Sequence, residues 1–89
     1  MYTYGTHFKE RMEERLVSIE AIEYLLDPHT DKITIPSSKD SEVDLIMGFY
    51  QGKGFAIIVN RHTHKLITVR RLHPKEIKLF EKEFSDDQD

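Results

Sequence analysis

His7, Arg11 and Arg15 recur every four residues near the start of the chain. At 3.6 residues per turn that spacing sets all three on one stripe of a helix. An imidazole titrates near neutral pH and can therefore move protons. Guanidinium groups grip phosphate oxygens and stabilise developing negative charge. The combination suits phosphodiester chemistry. The plain alternative is that Arg11 and Arg15 pair with Glu10, Glu14 or Glu42 and that His7 only sits near the helix start.

Thr68 and Arg70 form a second candidate pair. They alternate along a strand reading Leu66-Ile67-Thr68-Val69-Arg70-Arg71, so they share a face. A threonine hydroxyl donates to a phosphate oxygen, and an arginine neutralises it. The alternative is a half-buried strand with a polar outer face. The pair gains meaning only if it meets His7 and Arg11 in space.

Charge points to the same half of the chain. Net charge is −3. Without the tail acids Asp86, Asp87 and Asp89, the remaining acids number thirteen and match the 13 Lys and Arg. From Lys53 to Lys78, seven basic side chains (Lys53, Arg61, Lys65, Arg70, Arg71, Lys75 and Lys78) oppose the single acid Glu76. Such a stretch can hold phosphates, and Arg61, Lys65, Arg71 and Lys75 are its candidate nucleic-acid contacts. A solvated surface balanced by the acidic N-terminal half is the competing reading.

Other motifs carry less. His62 and His64 flank Thr63, but two histidines without a third ligand make a weak zinc site, so no metal is expected and a solvated turn is preferred. Gly52-Lys53-Gly54 lacks the length and the following helix of a phosphate loop and reads as a hairpin turn. Gly48 inside a strand is a candidate bulge. With no cysteine, disulfides, thiolate zinc sites and a cysteine nucleophile are excluded, and an intracellular setting is favoured. No apolar run approaches a membrane span, and the N-terminus lacks a signal-peptide pattern. A cytoplasmic protein with neither cofactor nor membrane association is expected.

The elements that must position these residues follow from periodicity. Eighty-nine residues suit one domain, expected over residues 1–84 with an acidic disordered tail at 85–89. Thr6 is placed to cap a helix over about residues 7–17, with Phe8, Met12 and Leu16 as its apolar stripe. Ser18 caps a second helix with Ile19, Ile22, Leu25 and Leu26 on its apolar face, stopped by Asp27-Pro28. The period then changes to two. Strands are predicted over 32–36, 43–49, 55–59 and 65–71, joined by short polar connections, which makes an antiparallel meander. In the last strand, Ile67 and Val69 are expected on one face and Leu66, Thr68 and Arg70 on the other. His73-Pro74 opens a final helix whose buried face is Ile77, Phe80 and Phe84. The fold class is α+β: two N-terminal helices, a four-stranded antiparallel sheet and a C-terminal helix.

Residues 6–22, Thr-His-Phe-Lys-Glu-Arg-Met-Glu-Glu-Arg-Leu-Val-Ser-Ile-Glu-Ala-Ile, resemble the opening of a family of small prokaryotic domains. These domains are similar to RelE- and BrnT-type toxins, which are small metal-independent ribonucleases. The likeness extends over most of residues 6–72. Leu-Ile-Thr-Val-Arg at 66–70, then the Pro-Lys-Glu helix start, is more similar to BrnT. The resemblance implies an RNA-cleaving or RNA-binding surface between the first helix and the sheet. On it, His7 is general acid or base. Arg11, Arg15 and Arg70 stabilise charge, Thr68 matches the threonine of the last strand, and Lys65 and Arg61 hold flanking phosphates. RNA and an antitoxin-like protein are the implied partners. Such toxins are usually strongly basic, and this chain departs from them in being net acidic. The competing function is a non-catalytic module of a phage or mobile element, binding protein or nucleic acid.

Overall fold

In the computed structural model, which describes residues 1–84, the order is α1 (Thr6–Glu14), α2 (Ile19–Leu26), β1 (Ile33–Pro36), β2 (Val43–Tyr50), β3 (Lys53–Asn60), β4 (Leu66–Arg71) and α3 (Pro74–Phe84). The expected tail at 85–89 lies outside the described residues. The strands form one antiparallel sheet in the order β1-β2-β3-β4. The α+β arrangement is therefore the expected one.

Helix α1 differs from expectation at both ends. Its N-cap is Gly5, whose lack of a side chain leaves no side-chain cap, and Thr6 is already helical. The helix stops at Glu14 because Leu16 adopts φ +55°. The Leu16 N–H donates to the Glu13 carbonyl, and the Val17 N–H donates to the Met12 carbonyl at 2.8 Å. This is the Schellman pattern, built on a leucine where glycine is favoured. The corner throws Leu16 outward to 88% exposure and turns Val17 into the core. Leu16 therefore does not continue the stripe of Phe8 and Met12, and Val17 takes its place.

The second helix begins as expected, with the Ser18 hydroxyl accepting from the Ala21 N–H at 3.2 Å. Ala21, Ile22 and Leu25 are buried, and with Phe8 and Met12 they cover one face of the sheet. That face presents Ile46, Phe55, Ile57, Val59, Leu66 and Val69. Burying a side chain such as Phe8 or Ile22 contributes about 1.5–3 kcal/mol.

The β2–β3 connection is a two-residue turn, Gln51-Gly52, and Lys53 and Gly54, expected in the turn, belong to β3. Both turn residues have positive φ, as the favoured hairpin turn requires. Gly48 is not a bulge, since its pairing with Phe55 is regular. It lets α2 approach: a Cβ there would lie 2.8 Å from Leu25 Cδ2. The irregularity falls in β4 instead. Ile58 pairs with Thr68 and Val59 with Leu66, leaving Ile67 as the extra residue. This bulge corrects the expected alternation. Leu66 joins Val69 on the α1 face and no longer shares a face with Thr68.

On the opposite face, Met47, Ala56 and Leu72 are buried, with Ile33, Ile35, Leu45, Ile58 and Ile77 packed against them. Helix α3 lies there. Pro74 is its first residue, and Glu76 accepts from the His73 N–H at 2.8 Å, which secures the helix start. None of its residues is fully buried. Phe80 meets Phe49 edge-on at 4.9 Å, and Phe84, expected in the core, is exposed.

Candidate nucleic-acid interface

The N-terminal segment ties the start of α1 to the sheet. Thr3 donates to the His64 carbonyl at 3.2 Å and accepts from the Leu66 N–H at 2.8 Å, forming a parallel bridge along the free edge of β4. Helix α1 then packs on β4. Its first residues border Lys65, Leu66 and Ile67. The residues just beyond its end border Lys53 and Phe55, and Phe55 pairs with Arg71. Helix and strand therefore run in the same direction, and the polar stripe of α1 follows the sheet edge.

Between their starts is a cleft of about 410 Å³, lined by Thr6, His7, Asn60, Thr63, Lys65 and Ile67 among others. It places an imidazole, an ammonium and hydroxyl groups around one space. His7 and Lys65 are both exposed at it. Arg11 follows one turn further along. It is half-buried and donates to Glu14 at 2.8 Å, one of the ion pairs anticipated as the alternative to a catalytic role. Arg15 is the C-cap residue of α1 and is exposed. Near that end, Arg71 lies over the Phe55 ring at 5.4 Å and donates from Nε to the Gly54 carbonyl. The α1 side of the β4 edge thus carries His7, Lys65, Arg11, Arg15 and Arg71.

Thr68 and Arg70 are not brought to this place. Their β3 partners, Ile58 and Ala56, belong to the α3 side of the sheet, whereas Val69 between them faces Phe8 and Met12. The sheet separates Thr68 and Arg70 from His7 and the arginines of α1. Arg70 is also committed locally: both its terminal nitrogens donate to Glu76 at 2.8 Å. That pairing is the main reason the Glu76 carboxyl is held down at about 2, and the His73 N–H adds to it.

Arg61 is likewise engaged. It donates to Asp44 Oδ1 from Nε at 3.1 Å and Nη2 at 2.7 Å, and to the carbonyls of Ser41 and Val43. It clips the β3–β4 turn onto the start of β2. Lys75 is exposed on α3, remote from the cleft. His62 and His64 belong to a turn closed by Asn60, whose side-chain oxygen accepts from the His62 and Thr63 N–H groups. Among the described residues, no three His, Asp or Glu gather as a metal site, and no helix is long and apolar enough to cross a membrane.

Sequence reasoning missed Thr6, Asn60 and Thr63 as cleft residues. The β3–β4 turn folds back beside α1 through the Thr3 bridge, a non-local pairing with no periodic signal. Comparison with family models, characterised proteins and solved structures finds no match for the chain.

Proposed function

We propose that this chain acts on RNA as a small metal-independent ribonuclease, in the manner of the RelE- and BrnT-type toxins its first helix resembles, with the His7–Lys65 cleft as its reaction site. The observation that carries the reading is the shared cleft: the His7 imidazole and the Lys65 ammonium border one space at a sheet edge. Arg15 and Arg71 continue the positive charge along the path a strand would take from that cleft.

In this reaction the ribose 2′-oxygen attacks the adjacent phosphorus and the bond to the 5′-oxygen breaks. The products are a 2′,3′-cyclic phosphate and a 5′-hydroxyl. His7 accepts the 2′-hydroxyl proton, and water at the open cleft returns a proton to the leaving oxygen. Lys65 stabilises the charge that builds on the phosphate oxygens, and Arg11 and Arg15 hold flanking phosphates. Thr68 and Arg70 have no part, being on the other face.

The test is incubation of the purified chain with single-stranded RNA in excess chelator, alongside His7→Ala. Cleavage that survives chelation and is lost in the variant supports the proposal. A second reading, RNA binding without cleavage, is favoured by the Arg11–Glu14 pair, which offsets one of the charges a transition state would use. It predicts retained binding and intact RNA in the same experiment.

A further inference from the structure

We infer that a second cleft, across the Thr3 bridge from His7, is a nucleobase site selective for guanine. The inference rests on the reading of the chain as RNA-acting, and it names the base that reading leaves open. The cleft is about 450 Å³ and is bordered by Tyr2, His64, Asp44, Arg61, Ile46 and Val59.

Three features fit a base. The floor is apolar, since Ile46 and Val59 are buried core residues. One wall is aromatic: the Tyr2 and His64 rings pack with centroids 5.5 Å apart, and Tyr2 remains 39% exposed. Bases stack on such rings when single strands are bound. His64 holds φ +62°, an uncommon conformation for a residue with a side chain, and it sets the imidazole against Tyr2.

The third feature supplies selectivity. Asp44 Oδ1 accepts both hydrogen bonds from Arg61, and no bond to Oδ2 forms among the described residues. Among the described residues no buried side-chain oxygen or nitrogen lacks a partner, so the unbonded Oδ2 is solvent-accessible, and Asp44 lines the cleft. A carboxylate oxygen only accepts. Guanine alone presents two adjacent donors on its Watson–Crick edge, N1–H and the N2 amino group. Uracil flanks its one N–H with carbonyl oxygens, and adenine and cytosine set an acceptor beside the amino group. With Oδ1 occupied by Arg61, Oδ2 can accept from both guanine donors at once, whereas each other base offers it one donor flanked by an acceptor that it repels.

The location joins the two sites. His64 borders the base cleft and Lys65 the phosphate cleft, and neighbouring Cα atoms lie about 3.8 Å apart. A single-stranded chain can place a guanine on Tyr2 with an adjoining phosphate at His7 and Lys65.

The test is an NMR titration of the full chain with guanosine, uridine and inorganic phosphate as separate probes. Guanosine carries no phosphate, so it reports on the base cleft alone. It should shift the amide signals of Tyr2, Asp44 and His64, with uridine at least several-fold weaker. Inorganic phosphate should shift those of His7 and Lys65 instead. Tyr2→Ala, at an exposed position that leaves the core intact, should weaken guanosine binding about tenfold. Asp44→Asn should remove the preference over uridine. Absence of guanosine shifts, equal binding of the two nucleosides, or an unchanged affinity in Tyr2→Ala would each overturn the inference. RNA cleavage without guanosine shifts would overturn the base site alone. Guanosine shifts without RNA cleavage would support it while removing the ribonuclease reading.

Discussion

Arg70 meets Glu76 through two hydrogen bonds of 2.8 Å, one to each carboxylate oxygen, and Glu76 at the same time accepts from the His73 N–H. One acid therefore joins the last strand to the last helix and caps that helix. An arginine that reads as a phosphate ligand in the sequence is an anchor for α3. Because α3 buries no residue completely, this pair matters more to its docking than it would beside a deep core.

Acid should release it. Glu76 is held at about 2 in the folded chain, against an ordinary 4.5. A depressed carboxyl stabilises the fold above its unfolded value and loses that contribution as pH falls from about 4.5 through about 2. The pair is partly solvated, so about 1–2 kcal/mol is expected. Denaturant unfolding of wild type and Glu76→Gln should differ by that amount at pH 7 and converge near pH 2. A constant gap across that range would contradict the assignment.

Leu16 is a leucine in a conformation that glycine adopts freely, with its side chain in solvent. Left-handed backbone costs an L-residue about 1–2 kcal/mol, offset in part by glycine's greater freedom when unfolded. Leu16→Gly should therefore raise stability by about 0.5–1 kcal/mol, read as a higher thermal midpoint. A lower midpoint would show that the leucine makes a contact that this account lacks.

Nucleic-acid affinity should separate the two faces of the sheet. Lys65→Ala and Arg15→Ala are expected to weaken RNA binding and to reduce the salt dependence of log K by about 0.7 each, the value for one single-strand phosphate contact. Lys75→Ala on α3 should leave both unchanged. Equal losses from Lys65→Ala and Lys75→Ala, measured by fluorescence anisotropy across a salt series, would move the interface away from α1.

Much of the architecture is legible in the sequence because it rests on local pattern. The switch from helical to strand period, the Ser18 cap and the Pro74 helix start depend on a few neighbouring residues, and all appear where expected. The departures come from backbone geometry that side-chain pattern does not encode. The early stop of α1 needs a left-handed leucine, which composition does not announce. The β4 bulge at Ile67 moves Leu66 to the other face, an outcome set by pairing with β3. The placement of the candidate residues is legible in part. His7, Arg15 and Lys65 lie along one edge, but the facing of Thr68 and Arg70 depends on which side of the sheet α1 occupies. Periodicity along a single strand identifies two faces without saying which helix covers each.

The central claim is that His7 moves the proton in metal-independent RNA cleavage. The most direct measurement is the cleavage rate of a single-stranded RNA by wild type and His7→Ala in excess EDTA, across pH 5 to 9. Cyclic-phosphate products are expected, with a loss of about a hundredfold or more in the variant at every pH where the wild type cleaves. Intact RNA with wild type, or equal rates for the two proteins, would contradict it.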